Sequence, residues 1–139
     1  PGMTDPTGLD VGNDGTLYVV DQGAESLLAF DAATGELLWR VSAAELPPDF
    51  LFPSDAAVAP DGFVYLVSGY SGEFLVFDPA GRLVKRVPFD YRDIETFAAV
   101  ADDFTVALAG DGGLWACRPV GLSGREEPPT VALKGGGAR

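Results

Sequence analysis

The sequence predicts an all-β fold in which a four-stranded antiparallel sheet is repeated along the chain, and two observations predict it. First, residues 56–67 return the pattern of residues 9–20, so that Leu9 corresponds to Ala56 and Tyr18 to Tyr65. Second, 18 glycines and 11 prolines separate short apolar runs, as in a turn-rich β domain. A repeat of about 47 residues filled with short strands is typical of the blades of a β-propeller.

The first predicted blade covers about residues 6–41. Asp14-Gly15 lies between two apolar runs, and this pair supplies the positive φ that a tight hairpin needs. A second turn at Thr34-Gly35 separates the last two runs. The predicted strands are Gly8–Val11, Thr16–Asp21, Leu27–Asp31 and Glu36–Val41.

The second predicted blade covers about residues 53–88 and repeats this order. Asp61-Gly62 takes the place of the first turn, and Pro79–Gly81 forms a later turn that is one residue shorter than its counterpart. The predicted strands are Ala56–Ala59, Phe63–Ser68, Phe74–Asp78 and Arg82–Val87.

A third blade over about residues 96–134 is less regular, because Asp102-Asp103 replaces the Asp-Gly turn. Residues 1–134 are thus predicted to form one propeller segment, and residues 135–139 a flexible tail. The predicted strands are Phe97–Ala101, Phe104–Ala109, Leu114–Arg118 and Thr130–Leu133.

One short helix is predicted between the first two blades. Ser42 and Glu45 have the spacing of a capping box, and Pro47-Pro48 would end the helix within about one turn.

Four segments together resemble an NHL-type repeat: Pro6–Val11, Asp14-Gly15, Leu17–Asp21 and Leu28–Asp31. The resemblance covers two blades well and the third weakly. It implies part of a six-bladed propeller, in a family whose members mostly serve as binding platforms.

Residues 28–39 also resemble one repeat of the quinoprotein dehydrogenases, in which a recurring tryptophan docks neighbouring blades. That likeness is local, because Lys85 stands where the second blade would need the tryptophan, and no quinone cofactor is expected.

About three blades are too few for a closed propeller, which has four to eight. Three arrangements stay open: a segment of a longer propeller, a homodimer that completes a six-bladed ring, and a partner chain or larger assembly that supplies the missing blades. A different small all-β fold is the fourth alternative.

Composition excludes several function classes. With 9 basic and 21 acidic residues the net charge is −12, which disfavours nucleic acid and anionic membrane surfaces and favours basic partners or divalent cations. One cysteine and no histidine exclude zinc sites of the cysteine–histidine type and histidine-dependent triads. No apolar run is long enough to insert in a membrane. No cofactor is expected; calcium alone stays open, since it takes oxygen ligands. The sequence indicates no compartment.

The candidate site is an acidic, aromatic face formed by the loops that join the second strand to the third and one blade to the next. The predicted function is a non-catalytic scaffold module that binds a protein or peptide, with a basic segment as the best fit. Phe50 and Phe52, in one of these loops, are expected to pack between blades. The candidate partner-binding residues are Tyr70, Glu73, Tyr91, Asp93 and Asp111.

Two alternatives remain from the sequence. One is a structural spacer or adaptor in a multi-subunit assembly. The other is a divalent-metal-dependent, lactonase-like propeller enzyme, which is disfavoured because Asp10 is the one ionisable residue in the predicted channel-lining strands. No catalytic or metal-binding residues are therefore assigned.

Overall fold

The computed structural model describes residues 2–89, 96–110 and 113–117, and these residues form three antiparallel sheets. Sheet 1 has the order β1-β2-β3-β4, sheet 2 the order β5-β6-β7-β8, and sheet 3 the order β9-β10-β11. The strands are β1 (Pro6–Val11), β2 (Thr16–Asp21), β3 (Ser26–Asp31), β4 (Leu37–Val41), β5 (Asp55–Val58), β6 (Val64–Ser68), β7 (Glu73–Phe77), β8 (Leu83–Pro88), β9 (Phe97–Val100), β10 (Val106–Gly110) and β11 (Gly113–Cys117).

Each sheet is a meander of sequential neighbours, which confirms the predicted all-β fold of repeated antiparallel units. The first strands approach one another: β1 lies beside β5, and β5 lies beside β9. This is the arrangement of innermost strands around a propeller axis. The predicted strand Thr130–Leu133 and the tail 135–139 lie outside the described residues.

The first turn of sheets 1 and 2 has the predicted Asp-Gly chemistry. Gly15 and Gly62 have φ values of +84° and +87°, which favour glycine. The Asp14 carboxylate accepts a hydrogen bond from the Thr16 amide at 3.0 Å, and Asp61 accepts one from the Phe63 amide at 3.2 Å. Local side-chain acceptors therefore fix both hairpins.

Sheet 2 packs against sheet 1 with one face and against sheet 3 with the other. Successive side chains of its strands alternate between these two contacts, because they point to opposite faces. Toward sheet 1, Leu66 and Phe77 pack against Tyr18 and Leu27. Toward sheet 3, Val67 and other buried residues pack against Val106 and Leu108. Sheet 2 is consequently buried on both faces, which explains its nearly continuous apolar strands.

Trp39 of β4 links the outer edge of sheet 1 to sheet 2. Its indole N–H donates to the Pro79 carbonyl at 3.1 Å, and its ring lies 5.8 Å from the Tyr18 ring. The indole also fills the space beside Gly81, where a Cβ atom would lie 2.9 Å from the ring. This tryptophan therefore docks one blade on the next.

The helix predicted at Ser42–Glu45 is wrong, because the described residues 42–46 form a turn. The Glu45 carboxylate accepts hydrogen bonds from the Ser42 amide at 3.0 Å and from its hydroxyl at 2.8 Å. These bonds lower the pKa of Glu45. One half of the capping box thus forms, but Pro47-Pro48 prevents the turn from continuing as a helix.

Candidate partner-binding site

The loops at one end of sheets 1 and 2 hold the described part of the predicted site. Tyr70 lies in the turn between β6 and β7, and Glu73 is the first residue of β7. The long connection 42–54 between the sheets runs beside this turn. The other three candidates, Tyr91, Asp93 and Asp111, lie outside the described residues.

Tyr70 forms an exposed aromatic pair with Phe52. The ring centroids are 5.0 Å apart, the rings meet edge to face at 82°, and the residues are 50% and 39% exposed. Phe50 is buried between sheets 1 and 2 as expected, but Phe52 is not an inter-blade plug. Phe52 instead lies against Tyr70, on a backbone with a left-handed φ of +53°.

Serine side chains hold the two loops together. Ser71 Oγ accepts a hydrogen bond from the Leu51 amide at 2.8 Å and lies 3.2 Å from the Asp49 carbonyl oxygen. The Ser68 hydroxyl donates to the Leu51 carbonyl and accepts from the Ser71 amide at 3.0 Å. The Phe52–Tyr70 pair therefore stands on backbone that is fixed from both loops.

Glu73 is buried and bound to a cation of its own sheet. Arg86 of β8 donates from Nε to Oε1 of Glu73 at 3.0 Å and from Nη2 to Oε2 at 2.6 Å. The same Nη2 also donates to Asp49 Oδ1 at 2.9 Å. These two carboxylates raise the pKa of Arg86 further above its usual value. Glu73 is thus engaged within the chain, whereas the Asp49 side chain stays 72% exposed.

Asp21 is the counterpart of Ser68 in sheet 1. Each side chain accepts a hydrogen bond from the amide three residues later, but the acceptor in Asp21 is a carboxylate. Its carboxylate accepts from the amides of Thr4 and Asp5, both at 2.8 Å, and from the amide of Ala24 at 3.2 Å. Burial alone would raise the pKa of Asp21, but these hydrogen bonds outweigh it and the pKa lies below its usual value. Asp21 therefore ties residues 4–5 to the turn that precedes β3.

Two carboxylates join the innermost strands, and sequence reasoning found one of them. Asp10 of β1 accepts from the Val58 amide in β5 at 2.9 Å. Asp55 of β5 accepts from the Ala98 amide in β9 at 3.0 Å. Burial raises the pKa of Asp55, and the negative charge of Asp10 adds to this rise. Asp55 was missed because the predicted strand began one residue later, at Ala56.

A cavity of about 210 Å³ lies at the far ends of these inner strands, away from the aromatic pair. Asp10, Asn13, Val58, Val100 and Asp102 are among its lining residues. Among the described residues there is no group of three or more histidine, cysteine, aspartate or glutamate side chains that could hold a metal. The same residues contain no helix that is long and apolar enough to span a membrane.

No protein-family model matches the chain. A curated relative is a probable peptidyl-alpha-hydroxyglycine alpha-amidating lyase of Caenorhabditis elegans, which is 30% identical over 87 residues. That match covers 59% of this chain and 25% of the lyase. The chain thus spans about a quarter of the length of this relative.

Solved structures of similar shape decide the architecture. The WD40 repeats of RRP9 superpose with a TM-score of 0.70 at 14% identity, over 85% of this chain and 36% of that one. A gluconolactonase of Xanthomonas campestris superposes with a TM-score of 0.62 at 27% identity, over 80% of this chain and 36% of that one. The fold is that of a β-propeller. The described sheets are consecutive propeller blades, and the chain spans little more than a third of each of these structures.

Proposed function

We propose that this propeller segment is a non-catalytic interaction module that binds a protein or peptide through the loop face around Tyr70. The observation that carries the proposal is the exposed Phe52–Tyr70 pair on two loops that are hydrogen-bonded to each other. Aromatic side chains on a rigid scaffold bury large contact areas at little entropic cost, and binding residues commonly lie on such loops. Tyr91, Asp93 and Asp111 stay predicted members of this face, and no cofactor is proposed.

Selection from a random peptide library tests this function. We expect enriched peptides to bind the chain and to lose at least about tenfold in affinity when Tyr70→Leu removes the ring. Phe97→Leu is the matched control, because Phe97 is equally exposed but lies on sheet 3. Enriched peptides that bind Tyr70→Leu as tightly as the original chain would overturn the proposal.

A structural role in a larger assembly is the second candidate. It is supported by exposed apolar side chains on sheets 1 and 3, the first and last of the three described sheets. Leu9 is 67% exposed and Phe97 is 52% exposed. Asp10 and Ala98, the next residues along the two strands, contact sheet 2. Because successive side chains of a strand point to opposite faces, Leu9 and Phe97 point away from sheet 2, one on each side of it. Such faces suit the docking of further blades, from a second copy or from another chain.

Light scattering across a concentration series tests this second candidate. We expect the mass to rise with concentration, and Leu9→Lys to suppress the rise because it places a charge on the docking face. Val84→Lys is the control, since Val84 is also exposed, at 47%, but lies on β8 of sheet 2, which already has a neighbouring sheet on both faces. A monomeric mass at every concentration would rule out assembly through these faces by copies of this chain.

The lactonase-like alternative ranks below both. The 27% identity with the gluconolactonase and the polar cavity beside Asp10 and Asp102 support it. However, the Asp10 carboxylate already accepts hydrogen bonds from the Val11 and Val58 amides, which leaves it poorly placed to bind a metal. We expect no hydrolysis of gluconolactone above background, with or without added divalent cations. Saturable hydrolysis would reverse this ranking.

A further inference from the structure

We infer that the Phe52–Tyr70 pair, together with the neighbouring carboxylate of Asp49, receives an arginine side chain of the partner. The inference rests on the proposed function, because it names the chemistry recognised by the same loop face. Three features of the described residues carry it: uncovered aromatic rings, an excess carboxylate, and loops that are already held in place.

The aromatic rings offer faces to which a cation is attracted. In an edge-to-face pair, one ring presents its edge to the other, so at most one of the four ring faces is covered within the pair. Tyr70 and Phe52 remain 50% and 39% exposed. Ring faces carry the negative end of the aromatic quadrupole, and a guanidinium can lie flat against them. The pair therefore favours a planar cation over an anion.

The adjacent charges leave one carboxylate in excess. Arg86 is shared by Glu73 and Asp49, so the three side chains together carry a net charge of −1. Glu73 is buried and takes two hydrogen bonds from Arg86, whereas Asp49 takes one at Oδ1 and is 72% exposed. Asp49 thus keeps acceptor capacity toward solvent for a second guanidinium.

The backbone segments that carry the carboxylate and the rings are hydrogen-bonded to each other. Ser71, the neighbour of Tyr70, contacts the backbone of both Asp49 and Leu51, and Leu51 is the neighbour of Phe52. The Gln22 side chain also donates to the Pro53 carbonyl at 3.2 Å, which ties the same loop to sheet 1. Because these groups are ordered before the partner arrives, little conformational entropy is lost on binding.

Arginine fits this arrangement better than lysine does. A guanidinium can stack on a ring and donate to a carboxylate at the same time, whereas an ammonium is a compact, strongly hydrated charge. An acidic segment is disfavoured by the net charge of −12. The recognised element is therefore an arginine in an otherwise neutral or basic stretch of the partner.

A matched pair of short capped peptides tests the inference, Gly-Ser-Arg-Ser-Gly and its twin with citrulline in place of arginine. Citrulline keeps the shape of arginine and removes its charge. Amide chemical shifts of the ¹⁵N-labelled chain are followed during each titration. We expect saturable shifts that cluster at Asp49, Phe52 and Tyr70 with the arginine peptide, and affinity at least about threefold weaker with citrulline, as a loss of cation–π energy predicts.

Two variants sharpen the test. Asp49→Asn and Tyr70→Leu should each weaken binding of the arginine peptide, whereas Glu36→Gln, which changes the net charge equally in an exposed turn at the other end of the sheets, should not. Equal binding of the two peptides, or no saturable shifts at these residues, would overturn the inference. If the library yields Tyr70-dependent peptides that contain no arginine, the inference fails while the proposed function stands.

Discussion

Single residues carry the difference between the repeated turns of sheets 1 and 2. Gly72 adopts φ +70° in the turn before β7, and its counterpart before β3 is Glu25 with φ +46°. A left-handed conformation is free for glycine and unfavourable for glutamate, because the Cβ atom crowds the following carbonyl. The backbone of sheet 1 is therefore strained at Glu25, whereas the equivalent glycine in sheet 2 is unstrained.

Replacing Glu25 by glycine should relieve this strain. We expect Glu25→Gly to raise the free energy of unfolding by about 0.5–1 kcal/mol and the melting temperature by about 2–4 °C. Thermal unfolding measures the change. Glu25→Ala is the control and should give no gain, because alanine keeps the Cβ atom; an equal gain in both variants would contradict the explanation.

The charge of Asp21 should stabilise the fold at neutral pH, and this contribution should be lost in acid. Its folded-state pKa lies below the unfolded value of about 3.8, so its contribution is present above that value and is lost as the pH falls through the folded pKa. Asp21→Asn keeps one acceptor oxygen but presents an NH₂ group to backbone N–H donors. We expect it to lower the free energy of unfolding at neutral pH by about 2 kcal/mol.

Urea denaturation at neutral pH and in acid checks this prediction. The difference between the original chain and Asp21→Asn should shrink in acid, where the carboxyl group of Asp21 is protonated. Asp14→Asn should change stability by less than about 0.5 kcal/mol, because its exposed side chain keeps the acceptor for Thr16. A difference for Asp21→Asn that is independent of pH would show that its charge is not responsible.

At the scale of elements, the contact between β4 and the turn after β7 determines how sheet 1 meets sheet 2. Trp39 donates a hydrogen bond to Pro79 and occupies the space beside Gly81. Gly81 also has a φ of +89°, so alanine there would be opposed both by the backbone and by the indole ring. Tryptophan and glycine are thus matched across two blades.

A double-mutant cycle separates these two effects. We expect Trp39→Ala to cost about 2–3 kcal/mol, and Gly81→Ala to cost about 1 kcal/mol less in the Trp39→Ala background than alone. The steric cost of alanine at position 81 disappears when the indole is removed, whereas the cost of its positive φ remains. Trp39→Phe, which removes the N–H donor and one of the two fused rings, should cost about 1–2 kcal/mol. Strict additivity in urea denaturation would refute the packing explanation.

At the scale of the described molecule, two carboxylates at the inner edge bridge neighbouring blades, in addition to the apolar contacts between the sheets. The Asp10 carboxylate accepts from the Val58 amide, and that of Asp55 accepts from the Ala98 amide, while each also accepts from the residue that follows it. Gly8 permits this close approach, since a Cβ atom there would lie 2.8 Å from the Cα of Asp55. Both carboxylates are thereby committed to backbone donors.

This arrangement predicts the response to calcium. We expect the melting temperature to be the same with added calcium as with a chelator, because the Asp10 and Asp55 carboxylates already accept hydrogen bonds from backbone amides. Binding to the folded state would raise the melting temperature with ligand concentration. A saturable rise would restore the metal-dependent alternative.

The sequence alone determined the repeat of antiparallel units and the Asp-Gly hairpins, because these depend on local backbone preference and strand periodicity. It also located Tyr70 on the loop face. The tertiary structure decided which neighbours each loop residue meets. In the folded chain Phe52 is exposed beside Tyr70, Glu73 forms an ion pair with Arg86, and Asp55 accepts a hydrogen bond from the next blade. These outcomes depend on residues that are distant in sequence and on a left-handed φ at a phenylalanine, which local patterns do not encode.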